Sequence, residues 1–106
     1  MRKARVHFQN EPAGIFTELD EKGGYLFEYD GGYCGDPISL TMPISQKRYT
    51  YQKWPAFFDG LLPEGPQLEA LIHNNKINRD DYFSQLIFVG EDLVGAVSVF
   101  EMKNYV

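Results

Sequence analysis

At 106 residues, with 43% hydrophobic and 15% aromatic side chains, the chain has room for a single domain spanning residues 1–106 and too much apolar mass for a disordered segment. Its net charge of −5, with no basic run longer than Arg2-Lys3-Ala4-Arg5 or Lys47-Arg48, argues against direct nucleic-acid binding and against an anionic membrane surface. The one cysteine, Cys34, excludes an internal disulfide and, with no export signal or span-length apolar run, is expected of a cytoplasmic protein.

Strands come first. Ala4, Val6 and Phe8 alternate with polar neighbours and predict a strand over residues 4–9. A second strand is expected over residues 13–19, with Ile15 and Leu19 on one face and Thr17 between them. The sequence Asp20-Glu21-Lys22-Gly23-Gly24 supplies a turn whose glycines tolerate positive φ, and Tyr25, Phe27 and Tyr29 alternate on the return, a hairpin signal. After the Asp30-Gly31-Gly32 loop, Ile38, Leu40, Met42 and Ile44 alternate and predict another strand, with Pro43 marking an edge or strand end. Tyr49-Thr50-Tyr51 predicts a further short one.

The second half reads as helical. Pro55 suits a first helical turn, and Phe57, Phe58, Leu61 and Leu62 lie on one broad helical face that Pro63 should terminate. A second helix is expected from near Pro66, with Leu68, Leu71 and Ile72 inward, ending at Asn74-Asn75. A third is predicted with Asn78 as N-cap, Tyr82, Phe83, Leu86 and Ile87 as its buried stripe, and Gly90 closing it in a left-handed C′ position. Leu93 to Met102 reads as a last strand, apolar on both faces (Val94, Ala96 and Phe100 against Leu93, Val97 and Val99) and therefore covered on both. The fold class that follows is α+β: a mostly antiparallel sheet from the N-terminal strands plus the C-terminal strand, with about three short helices between.

Residues suited to catalysis are sparse. His7 and His73 lie far from Cys34 in sequence, and no spacing resembles a zinc site, so no cofactor and no metal are expected. The glycine-rich stretch Asp30 to Asp36 lacks both the GxGxxG order and the Lys-Ser/Thr of a phosphate loop. Asp30 and Asp36 flank Cys34, the opposite of what activates a thiolate; it is expected to be a small half-buried side chain. The chain is expected not to be an enzyme.

One stretch stands apart. Lys53 to Gln67, KWPAFFDGLLPEGPQ, sets five large apolar residues among three prolines and two glycines. Trp54 precedes Pro55, which pushes its backbone out of the helical region and onto a corner, and tryptophan is the residue type most enriched in binding hot spots. Trp54, Phe57, Asp59, Leu62, Pro63 and Glu64 are the candidate partner-binding residues.

Within that stretch FFDGLLPEG, Phe57 to Gly65, resembles the signature of the HipA N-terminal subdomain. Upstream, ISLTMPI (Ile38 to Ile44) and AGIFTEL (Ala13 to Leu19) are similar to the family's strands; downstream, Asp81 to Phe100 is similar to its helix, glycine turn and Gly-Ala-Val strand, so nearly the whole chain is covered. HipA proteins are serine/threonine kinase toxins of bacterial toxin–antitoxin pairs. The resemblance places every ATP-binding and phosphoryl-transfer element of that family beyond Val106. It implies a HipS-like small subunit of a HipBST-type tripartite system, binding a shortened HipA-like kinase toxin (HipT-type) in trans as its antitoxin, in a ternary complex with a HipB-like DNA-binding protein. The alternative is a non-inhibitory assembly subunit that stabilises the kinase or bridges it to the DNA-binding antitoxin. Under the first reading the segment from Trp54 to Glu64 is expected to lie close to the kinase's nucleotide or substrate cleft and to plug it or hold the lobes apart, with Asp59 and Glu64 mimicking phosphate charge or pairing with basic residues there, and Trp54→Ala is expected to weaken neutralisation with the fold intact.

Overall fold

The computed structural model describes residues 1–19, 23–93 and 95–102. These form an antiparallel five-stranded sheet in the order β4-β3-β2-β1-β5: β1 (Arg2–Phe8), β2 (Glu11–Glu18), β3 (Tyr25–Tyr29), β4 (Arg48–Tyr51) and β5 (Val97–Met102). Helices α1 (Ala56–Asp59), α2 (Pro66–Asn75) and α3 (Tyr82–Val89), and a 3-10 turn over Gly90–Asp92, stand between β4 and β5 in the chain. The expected α+β architecture is present.

The period of two places Ala4 beside Phe16, Phe16 beside Phe27, and Val6 beside Val99 on one sheet face. There the aromatic rings meet the helices: Phe16 stacks on Phe58 at 4.0 Å and on Phe83 at 5.6 Å. In β2 the core residue is Phe16, while Ile15 is half-buried opposite Arg5 and Glu28. A bulge decides this. The register slips between Val6 and His7, so that Ala13 is an extra residue and both it and Gly14 turn inward. Gly23 and Gly24 take the positive φ expected of the hairpin turn, whose residues 20–22 lie outside the described set.

Further expectations are corrected. Residues 38–44 form turns, not a strand: the Tyr29 hydroxyl accepts from Ile38 N at 3.0 Å and donates to Met42 O at 2.5 Å, burying Ile38 and Met42 while Leu40 stands 96% exposed. A backbone tied to a side chain at both ends has no free edge to pair. The α3 cap is Asp81, which accepts from Ser84 N at 3.1 Å; Asn78 closes its own turn on Asp80 N. Tyr82, at the first position of α3, is exposed, and Ile87 is half-buried. Gly90 is right-handed, φ −60°, and carries α3 on into the 3-10 turn. Glycine is needed there for proximity: a Cβ at Gly90 would sit 2.2 Å from Val99 O.

The last strand begins at Val97, with Gly95 at φ 116° before it and Val94 outside the described residues. It is not sealed on both faces: Val97 and Val99 are buried, whereas Phe100 on the other face is half-buried against His7, ring centroids 4.8 Å apart. Cys34 is exposed rather than half-buried. Among the described residues no helix is long and apolar enough to cross a membrane.

Candidate functional site

Lys53 to Gln67 leaves β4, makes one helical turn and delivers the chain to α2. Pro55, extended at φ −67° and ψ 140°, is the N-cap of α1, whose four residues are followed by tightening bonds from Leu61 N to Phe58 O and Leu62 N to Asp59 O, both 3.1 Å. The helix is therefore shorter than the apolar spacing suggests, ending before Pro63 is reached. Gly65 at φ 59° turns the chain, and Pro66 opens α2.

The segment divides in two. Its first half points into the protein. Phe58 is fully buried, and Trp54 is half-buried amid Tyr25 (5.1 Å, 87°), Phe16 (5.5 Å, 71°), Tyr82 (5.7 Å) and Phe58 (6.4 Å). These edge-on geometries are the ones aromatic quadrupoles favour. Trp54 Nε1 is buried with no hydrogen-bond partner among the described residues. This packing gives Trp54 a structural role that Trp54→Ala would remove.

The second half rests on the core by one side and opens a groove on the other. Phe57, Leu61, Leu62 and Pro63 are half-buried, and Asp59 and Glu64 are exposed. Leu61, Leu62 and Pro63 form one wall of a groove of about 340 Å³. The other wall comes from the end of α3 and the turn after it: Val89, Asp92 and Leu93. Of the candidate residues, Leu62 and Pro63 line the groove itself, with Asp59 and Glu64 next to the lining residues in sequence; Trp54 is turned away from them into the ring cluster. The α3-side wall was missed from sequence, where Gly90 reads as a helix stop and not as a point of contact with β5.

The start of α3, the helix whose far end forms this wall, is held by Arg2. Its guanidinium donates to both Glu18 oxygens (2.6 and 2.8 Å), to Asp81 Oδ1 (2.9 Å) and to Ser84 Oγ (2.8 Å), and lies 5.0 Å above the Phe83 ring. Glu18 and then Asp81 hold the guanidinium above its ordinary range. Burial pushes the Asp81 carboxyl up, but hydrogen bonds from Arg2 and Ser84 outweigh it and hold Asp81 below its ordinary range. One residue of β1 thus locks β2 to the start of α3. Among the described residues no cluster of three His, Cys, Asp or Glu is placed to hold a metal.

Comparison with known proteins gives one consistent answer. The model of the HipA N-terminal domain family matches residues 4–100. The solved N-terminal domain of HipA toxin superposes with a TM-score of 0.79 at 28% identity, covering 99% of this chain and 96% of that one. An uncharacterized protein of Haemophilus influenzae is 31% identical over 104 residues, 98% of this chain and 96% of its own length. A Sinorhizobium fredii protein named as a kinase, Y4dM, is also 31% identical over 104 residues, but there the matched region is only 25% of the relative's length.

Proposed function

Because the chain belongs to the HipA N-terminal domain family, we propose that it is an antitoxin-like small subunit that binds a shortened HipA-like serine/threonine kinase toxin and neutralises it in trans. The observation that supports this most is where the unit occurs among relatives. It fills nearly the whole of the Haemophilus influenzae protein and a quarter of one named as a kinase. A unit found both alone and as part of a longer chain has a docking face in either setting; without a tether it must bind by interface strength alone, since effective concentration is lost.

In this reading the chain acts in the cytoplasm, catalyses nothing itself, and takes part in a ternary complex with a HipB-like DNA-binding protein. Its docking corner is the outward half of Lys53 to Gln67, with Phe57, Asp59, Leu62, Pro63 and Glu64 at the contact and Trp54 as the support behind it. A proline-braced turn suits the role because little conformational freedom remains to be lost on binding.

The test is autophosphorylation of the purified shortened kinase of the same genome, with and without the full chain. Inhibition with formation of a stable complex is the expected result. A complex that leaves the kinase fully active would instead make this an assembly subunit. No complex at micromolar concentrations would end both readings.

A further inference from the structure

Charge is partitioned in this protein in a way that composition hides. Residues 54–75 and 80–102 hold three and five carboxylates respectively, and not one Lys or Arg. These two segments supply both walls of the groove between the Gly60–Pro63 turn and the end of α3. Of the eight carboxylates, Glu69 and Asp81 are neutralised by ion pairs with Arg79 (2.6 Å) and Arg2 (2.9 Å). Asp59, Glu64, Glu91 and Asp92 are exposed and have no ion-pair partner among the described residues. All four lie in the groove wall or next to its lining residues in sequence; the remaining two, Asp80 and Glu101, are exposed elsewhere.

Resting on the kinase-binding reading above, we infer that this groove receives an apolar side chain of the kinase partner, presented between lysine or arginine residues that meet Glu64, Glu91 and Asp92. The lining is mostly hydrocarbon, Leu61, Leu62, Pro63, Val89 and Leu93, with Gln67 and Asp92 its polar side chains. An apolar floor with a polar rim is the anatomy of a protein interface. The rim here has one sign and, among the described residues, no ion-pair partner, so a basic partner rim gains attraction while a neutral or acidic one gains none. The same sign disfavours the other occupants. A second copy docked through the same face would set carboxylates against carboxylates, and an anionic bilayer would be repelled. A small ligand would need several convergent polar groups, and among the lining residues Asp92 is the one ionisable side chain.

The test measures the affinity of the purified shortened kinase for the full chain at several salt concentrations. Two double variants that change net charge equally are compared. Glu91→Lys with Asp92→Lys reverses the groove rim; Glu11→Lys with Asp36→Lys reverses exposed acids elsewhere. All four positions are exposed, so folding is checked by circular dichroism and is expected to be unchanged. The rim variant is expected to raise Kd about tenfold or more at 0.1 M salt and to flatten its salt dependence, because rim charges act on encounter and screening. The distant pair is expected to change Kd by less than about threefold. Equal losses in both variants would reduce the effect to overall charge and overturn the groove assignment. No loss in either would overturn it while leaving kinase binding standing. Absence of a wild-type complex would remove the parent reading itself. A wild-type dimer that Leu62→Ser dissociates, with kinase affinity untouched, would assign the groove to a second copy and overturn the inference.

Discussion

The two halves of Lys53 to Gln67 are built from the same kinds of residue and do opposite things. Trp54 and Phe58 carry their rings into a stack that runs through Phe16 to Phe83. Leu61, Leu62 and Pro63, a few residues beyond Phe58, stay half-buried around an open groove. The difference comes from one short turn. α1 lasts four residues, too few to carry all of its apolar positions round to the sheet, so the inward face is used up at Phe58. Apolar density in a sequence therefore does not by itself distinguish core from contact surface; the length of the element that bears it does.

The largest expected effect tests the inward half. Trp54→Ala should cost about 3 kcal/mol, the low end for losing a large aromatic since Trp54 is only half-buried, and should lower the melting temperature by more than about 10 °C. Trp54→Phe retains most ring contacts and removes the unpartnered Nε1–H, so its cost should be about 1 kcal/mol or less. Leu62→Ala, in the outward half, should likewise stay near 1 kcal/mol. Denaturant midpoints that place Trp54→Ala and Leu62→Ala together would erase the distinction between the halves.

The second test concerns what the outward half faces. Gly90→Ala forces a methyl to within 2.2 Å of Val99 O, where backbone must move rather than a side-chain tip. A loss of about 2–3 kcal/mol is expected, by overpacking. Since Gly90 joins α3 to the turn bearing Asp92 and Leu93, the proposed docking on the kinase predicts that affinity falls with it. A stable variant with wild-type affinity would mean that the second wall is not fixed to β5.

How much of this was legible beforehand follows the same division. Strand pattern gave the hairpin and the order of elements, because Tyr25, Phe27 and Tyr29 have one face to bury and a turn beside them. It failed at Ile38 to Ile44, where alternation is present but Tyr29 captures the backbone at both ends, a contact made by a residue nine positions earlier. It failed at Phe16, because a bulge shifts the face by one residue and leaves no mark in composition. The family was readable from FFDGLLPEG and its flanks. The α3 side of the groove was not, though a scan for missing Lys and Arg over residues 80–102 would have pointed to it.

A smaller effect probes the base of that second wall. Asp81 caps α3 and pairs with Arg2, and its carboxyl is held below the ordinary range. A depressed folded-state value contributes stability that is complete above the unfolded value, about 3.9, and is lost as the pH falls through the folded one. Asp81→Asn keeps a capping oxygen but loses the charge. It should therefore cost about 1 kcal/mol at pH 7, and the gap to wild type should close as the pH falls from about 4 downward. Urea midpoints across that range check it; a gap that widens in acid would reverse the sign of the pairing.

The smallest effect lies at the joint between the halves and runs the other way. Gly60 follows α1 at φ −65° and ψ −15°, a conformation open to any residue. A Cβ there would meet Phe57 O at 3.5 Å and Ala56 O at 3.7 Å, ordinary contacts. Gly60→Ala should then stabilise the protein by about 0.4–1 kcal/mol, because alanine restricts the unfolded chain more than the folded one. On the proposed docking, kinase affinity should hold or improve slightly, since the Leu61 and Leu62 wall follows this residue and a stiffer joint leaves less to order. If the substitution destabilises instead, Gly60 visits a left-handed state that alanine forbids, and the outward half moves as a hinge on the inward one rather than as a fixed extension of it.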